Sequence, residues 1–135
     1  MTSVPPDAQL VLVVEDYSDA REMVAEYLEE VGFRVKVARN GAEALQAAGD
    51  HHPDVILMDL SLPVMDGWEA TRRLKGDART RDIPVMALSG HVSLSHAEVA
   101  REAGADDFVT KPCMPEELEA RIRAMLKPSQ TKRRP

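Results

Sequence analysis

The amino-acid sequence predicts a doubly wound α/β fold, with a five-stranded parallel sheet covered by five helices. Three observations predict it. Apolar β-type runs alternate with helix-spaced patterns five times along the chain. The first, third and fourth of these runs are apolar almost without interruption, as strands covered on both faces are. The length of 135 residues suits one domain with one substantial core.

Taken in order, "LVLVVED" (10–16) reads as the first strand. "SDAREMVAEYLEEVGF" follows as a helix, with Ala20, Met23, Val24, Tyr27, Leu28 and Val31 at helical spacing and Gly32 as the stop. "RVKVA" (34–38) alternates polar and apolar residues and reads as a short strand. "NGAEALQAAGD" starts with Asn40 and Glu43 at capping-box spacing and is expected to end at Gly49. "DVILMD" is the third strand. "DGWEATRRLKGD" is the next helix, with Asp66 and Glu69 repeating the cap spacing. "IPVMALSG" (83–90) is the fourth strand, "SLSHAEVAREAGA" the fourth helix and "DDFVTK" the fifth strand. "PEELEARIRAML" closes the pattern, with Pro115 near its first position and Leu118, Ile122 and Met125 on one face. Strand two alternates and strand five is mixed, so both suit the edges of the sheet, which fits the strand order 2-1-3-4-5. The expected organisation is a disordered tail over 1–9, one domain over 10–126 and a basic tail over 127–135. There is no internal repeat.

Composition narrows the function classes. With 44% hydrophobic and 30% charged residues the chain reads as a globular protein, and no apolar stretch is long enough to span a bilayer. The start "MTSVPPDAQ" has no basic region leading into an apolar run, so no secretory signal is read. Cys113 is the single cysteine and cannot form an internal disulfide, which favours a reducing, cytoplasmic location. The net charge is −6, but Lys127, Lys132, Arg133 and Arg134 all lie in the last nine residues, where there is no acid. The body is therefore near −10 and does not read as a nucleic-acid binder. The tail reads as a solvated end.

The polar residues at the strand ends carry the chemistry. Strand one ends in Glu15-Asp16, strand three in Asp59, strand four in Ser89-Gly90 and strand five in Lys111-Pro112. Ligands of open parallel sheets bind beyond these carboxyl ends, near the switch in strand order. Three close carboxylates repel one another unless a cation sits among them, and a hard divalent ion such as Mg²⁺ suits an all-oxygen set. Asp59 then stays ionised and can attack phosphorus. Lys111 and the Ser89 hydroxyl, with backbone N–H groups near Leu60 and Gly90, can neutralise the transferred oxygens. The chemistry implied is an aspartyl phosphate.

At these residues the sequence resembles the receiver domain of two-component response regulators. The acid pair Glu15-Asp16 matches, then Asp59 with Pro63 and Asp66-Gly67 after it. Next come Ser89-Gly90, Phe108 three residues before Lys111, and Lys111-Pro112. The resemblance runs from residue 10 to about 126 and implies a flavodoxin-like, chemotaxis-regulator-like sheet. It implies that Asp59 accepts a phosphoryl group from a histidine kinase or a phosphotransfer protein. It implies Mg²⁺ on Asp16, Asp59 and the backbone carbonyl of Ser61, with Glu15 holding the ion through water. Lys111 would contact the phosphoryl group, and Ser89 and Phe108 would move together as the switch. The surface that changes is usually that of helix four, strand five and helix five. Four positions depart from the commonest family pattern: Glu15 for an aspartate, Ser89 for threonine, Phe108 for tyrosine, and Cys113 where an aromatic is common.

Other residues read as structural. His51 and His52 look like loop residues, Trp68 like a partly buried helix residue, and Cys113 like an inert thiol. His91, just beyond Ser89, can face the site or lie in solvated loop. Three rival functions are weighed. A phosphatase with an aspartyl nucleophile would place a second Asp two residues on, where this chain has Ser61, a group of no use as an acid or base. A nucleotide-binding domain would carry GxxxxGK[ST] or GxGxxG, and neither is present. A scaffold that has lost phosphorylation would not keep Asp16, Asp59, Ser89 and Lys111. The expected function is a signalling switch rather than a turnover enzyme. With no output domain after residue 126, its output is expected through protein–protein contact or onward phosphotransfer.

Overall fold

The computed structural model describes residues 8–60, 67–89, 98, 101–111 and 113–132. Five parallel strands form one sheet: β1 (Leu10–Val14), β2 (Arg34–Ala38), β3 (Val55–Asp59), β4 (Val85–Ser89) and β5 (Asp107–Thr110), in the order β2-β1-β3-β4-β5. Helices α1 (Ser18–Glu30), α2 (Gly41–His51), α3 (Gly67–Gly76) and a C-terminal helix (Pro115–Lys132) connect or follow them. Residues 98 and 101–103 are also helical, and Gly104, at φ +108°, ends that segment in a conformation suited to glycine. The rest of the expected fourth helix, including Ala97 and Ala100, lies outside the described residues.

The continuously apolar runs are central strands because each presents both faces to helices. Leu12, Val14, Ile56, Met58 and Val85 point to one face, where Ala44 and Ala48 of α2 and Ala70 and Leu74 of α3 cover them. Val11, Val13, Val55, Leu57 and Met86 point to the other, against Leu28 of α1 and Leu118, Ile122 and Leu126 of the C-terminal helix. The period of two in the strands thus divides one core into two layers. Met125, expected on the buried face of the last helix, packs at its margin while Leu126 is buried. A smaller cluster, Leu60 and Ala87 with Trp68, Ala105 and Phe108 around them, lies near the carboxyl ends of β3 and β4.

Two helix ends differ from expectation. α2 does not stop at Gly49 but continues through His51, and His52 closes it in a left-handed conformation with its N–H on the Ala48 carbonyl at 3.0 Å. A glycine inside a helix costs only about 1 kcal/mol, so Gly49 weakens the helix without ending it. His51 is accordingly a last-turn helix residue rather than a loop residue. The C-terminal helix runs past the Leu118/Ile122/Leu126 stripe to Lys132, through Pro128. At the start of α2 the Asn40 side chain accepts from the Glu43 N–H at 2.9 Å, as the cap spacing predicts. The reciprocal bond is shifted by one residue, with Glu43 accepting from the Arg39 N–H at 2.9 Å.

Candidate functional site

The ladder itself delivers the polar residues to one edge. Val14 is paired with Met58, Asp59 with Leu88 and Ser89 with Thr110, so the carboxyl ends of β1, β3, β4 and β5 finish level. Ladder hydrogen bonds continue one step beyond the strands: the Glu15 N–H donates to Ala38, Leu60 to Leu88 and Lys111 to Ser89, at 2.6–3.0 Å. Glu15, Leu60 and Lys111 are thus each tied by a backbone bond to the neighbouring strand.

Three carboxylates converge there. Glu15, Asp16 and Asp59 each place a carboxylate oxygen within 4.8 Å of the others. Asp59 and Glu15 are buried and Asp16 is exposed, so the cluster opens to solvent on the β1 side. Lys111 enters from β5, with its Nζ 2.9 Å from Glu15 Oε1 and 3.4 Å from Asp59 Oδ2. Ser89 is buried beside them at the end of β4.

The charges do not balance. Among the described residues one ammonium faces three carboxylates, which leaves a net deficit of positive charge in a partly desolvated place. Burial raises the Glu15 carboxyl above its ordinary value, and neighbouring Asp59 pushes it the same way against the pull of Lys111. For Lys111, burial disfavours the ammonium. The hydrogen bond to Glu15 and the charges of Asp59 and Glu15 outweigh that and raise its pKa. A divalent cation with oxygen ligands meets what this donor set lacks: it removes the repulsion, and it needs only carboxylate, carbonyl and water ligands. The residues present fit such an ion.

Two further features were not foreseen. Gly67, matched in the sequence as part of the Asp66-Gly67 pair that starts a helix, approaches the end of β3 so closely that a Cβ there would overlap the Asp59 carbonyl oxygen and stand 2.8 Å from Leu60 Cα. Its N–H reaches the Leu60 carbonyl at 3.4 Å. Residues 60 and 67 thus close a neck beside Asp59. The intervening Ser61, Leu62, Pro63 and Asp66 lie outside the described residues, as do Gly90, His91 and Pro112. Arg21, on the first turns of α1, reaches back to the acid pair. Its Nη1 donates to the Glu15 carbonyl at 3.0 Å and lies 3.5 Å from that of Asp16. Its only sequence signal was a basic residue five positions after Asp16.

Phe108 lies two strands from Asp59 in the cluster around Leu60 and Ala87. It also lines a cavity of about 320 Å³ with Arg101, Ala105, Asp106 and Asp107. Trp68 is partly buried in the same cluster, as expected. Cys113 packs at the edge of the C-terminal-helix core, and burial pushes its thiol pKa up, away from reactivity.

The model of the response regulator receiver domain family matches residues 11–123. The chain belongs to this family. Receiver domains are the phosphorylation-activated switches of two-component signalling, and they interact with histidine kinases and downstream effectors. This receiver domain is 41% identical over 117 residues to the phosphate regulon transcriptional regulatory protein PhoB of Pseudomonas aeruginosa, covering 87% of this chain and 51% of that protein. It therefore spans about half the length of that relative. Among solved structures it is similar to the signal receiver domain of a histidine kinase from Syntrophus aciditrophicus. There the identity is 37% and the TM-score 0.84, over 95% of this chain and 96% of that one. It is also similar to the receiver domain of a sensor histidine kinase from Pseudomonas aeruginosa PAO1, whose structure has a magnesium ion coordinated in the active-site cleft. That match has 31% identity and a TM-score of 0.83, over 89% of this chain and 98% of that one. No helix among the described residues is long and apolar enough to cross a membrane.

Proposed function

We propose that Asp59 is the phosphoryl acceptor of this receiver domain, and that Glu15, Asp16 and Asp59 hold Mg²⁺ beside it. The observation that carries this reading is the convergence of three carboxylates and Lys111 at one sheet edge. Asp16 and Asp59 would ligate the ion directly, with the Ser61 carbonyl, and Glu15 would hold it through water. When bound, Mg²⁺ would neutralise the carboxylates and the oxygens of an incoming phosphoryl group.

The reaction follows from the residues. One Asp59 carboxylate oxygen attacks the phosphorus of a phosphohistidine on a kinase or phosphotransfer protein. The P–O bond forms as the P–N bond breaks, and the electron pair returns to the imidazole. Burial of Asp59 keeps competing water away from the reacting carboxylate. Lys111 leaves Glu15 to contact the phosphoryl oxygens, and the Ser89 hydroxyl donates to another. The new bonds favour one of two arrangements of the β4–β5 side, in which Phe108 repacks in the Leu60/Ala87 cluster. The chain catalyses only its own phosphorylation and slow dephosphorylation. With Ser61 where a phosphatase carries its acid–base group, the acyl phosphate persists long enough to signal. The signal passes to a protein partner on the face of the fourth helix, β5 and the C-terminal helix, or onward in a relay, in the cytoplasm and without nucleic acid or membrane.

The test is incubation with acetyl phosphate and Mg²⁺, read by intact mass. Wild type should gain one phosphoryl group, and Asp59→Asn or removal of Mg²⁺ should abolish the gain. An equal gain on Asp59→Asn would overturn the assignment. Steady release of phosphate from general phosphoesters would favour the phosphatase.

A further inference from the structure

We infer that Arg21 is a positioning residue for metal binding: its guanidinium clamps the turn between β1 and α1 through the Glu15 and Asp16 carbonyls, and so presents the acid pair to the ion. The inference rests on the metal reading of the site and adds a residue to it.

The turn has work to do that its own backbone does not secure. β1 ends at Val14, and α1 begins at Ser18. The N-cap residue Tyr17 makes no side-chain cap, so the usual anchor of a helix start is missing. The Glu15 N–H is held by Ala38, but its carbonyl and that of Asp16 face the α1 side. Arg21 Nη1 meets these two carbonyls at 3.0 and 3.5 Å, bridging the residues whose side chains form two-thirds of the carboxylate cluster. The Arg21 N–H also bonds the Tyr17 carbonyl at 2.9 Å, so backbone and side chain of one residue fasten both ends of the turn.

The charge acts in the same direction. Asp16 is exposed, with no packing of its own to aim its side chain, and the cluster is short of positive charge. A guanidinium behind the backbone offsets part of the repulsion without occupying an oxygen the ion needs. Glu43 of α2 is hydrogen-bonded by Arg39 at 2.8 Å, and Arg21 acts on it through charge only, while the Arg21 side-chain hydrogen bonds go to the turn. Both contacts come from the two hydrogens of one nitrogen, Nη1, held in a planar guanidinium whose charge is permanent.

Two measurements on the full chain test this. The first is amide hydrogen exchange without metal. Arg21→Ala should speed exchange over residues 15–18 and leave the strand interiors of β1 and β3 protected. The second is Mg²⁺ titration by calorimetry. Arg21→Ala should weaken Mg²⁺ on the order of tenfold, as loss of an outer positioning group does. Arg21→Lys should recover part of the loss, and Arg72→Ala, an equal charge change on an exposed pair, should cause none. The phosphorylation rate should fall more at limiting Mg²⁺ than at saturating Mg²⁺. Equal Mg²⁺ affinity in wild type and Arg21→Ala, or unchanged exchange in the turn, overturns the inference. Wild type that binds no Mg²⁺ overturns the metal reading beneath it, which is a different result from wild type and variant binding equally.

Discussion

Two lysines mark opposite ends of the same sheet, and they keep different company. Lys75, at the amino-end side of β4 and β5, donates to the Ile83 carbonyl at 2.9 Å, the Arg81 carbonyl at 3.3 Å and Asp106 Oδ2 at 2.9 Å. Asp106 in turn accepts from the Val85 N–H at 2.8 Å. One cation meets one carboxylate and two carbonyls, and Gly104 packs against the lysine stem. The set is neutral and complete. Lys111, at the carboxyl end, meets two carboxylates of a cluster of three. That set carries an excess of negative charge, which on the proposed reading a cation and then a phosphoryl group would complete. The Lys75–Asp106 and Lys111–Glu15 pairs are equally short at 2.9 Å, but the two sets differ in charge balance and in burial: the Asp106 side chain is 45% exposed, and that of Asp59 is 5% exposed.

The comparison can be broken at either end. The largest effect is expected from Lys111→Ala. Phosphorylation should slow on the order of a hundredfold, since a charge aimed at the transferred group is lost. The metal-free variant should also be destabilised by about 1 kcal/mol through unrelieved repulsion, and Mg²⁺ should restore it, because a ligand of the native state adds stability. Urea unfolding with and without Mg²⁺ measures both. Gly67→Ala should come next. The methyl group has no room beside Asp59 and Leu60, so α3 must shift, at about 1–3 kcal/mol of stability, and phosphorylation should slow with it. Lys75→Met should cost about 1 kcal/mol or less, because Asp106 is half-exposed and keeps its bond from the Val85 N–H. Mg²⁺ should not restore that loss, and the phosphoryl stoichiometry should stay at that of wild type. A Lys75 variant rescued by Mg²⁺ would erase the distinction between the two ends.

The smallest effect is in pH. The Glu15 carboxyl is raised by burial and by Asp59, so the folded chain binds this proton more readily than the unfolded chain. In the metal-free protein the Glu15 contribution to stability should therefore fall as pH rises from the ordinary value near 4.5 through the raised one. Glu15→Gln should flatten that part of the curve. A slope that survives the substitution would assign it to another group.

Much of this was legible in the chain itself. The central strands declared themselves because both of their faces are covered, which forbids polar residues between Val11 and Val14 or between Val55 and Met58. The first polar residue after each apolar run then marks where cover ends, which made Glu15, Asp59 and Ser89 readable as neighbours, while Lys111 follows Thr110 of a mixed strand and was legible from the Lys111-Pro112 pair. What was hidden depends on approach rather than pattern. Arg21 sits on a half-exposed helix face, where a basic residue needs no explanation, and only its reach to two carbonyls singles it out. Gly67 was legible as half of the Asp66-Gly67 pair, but not as the residue whose missing Cβ makes room for the Asp59 carbonyl. His52 closes α2 because a left-handed cap forms there, which no local signal separated from a stop at Gly49.

The most direct measurement is the location of the phosphoryl group. After incubation with acetyl phosphate and Mg²⁺, borohydride reduction converts an acyl phosphate to an alcohol, and peptide sequencing by mass spectrometry finds the altered residue. The expected result is homoserine in place of Asp59, and nowhere else, with formation dependent on Mg²⁺. Reduction at Glu15 or Asp16, or label carried by a histidine with Asp59 intact, would contradict the claim that the carboxylate at the end of β3 receives the signal.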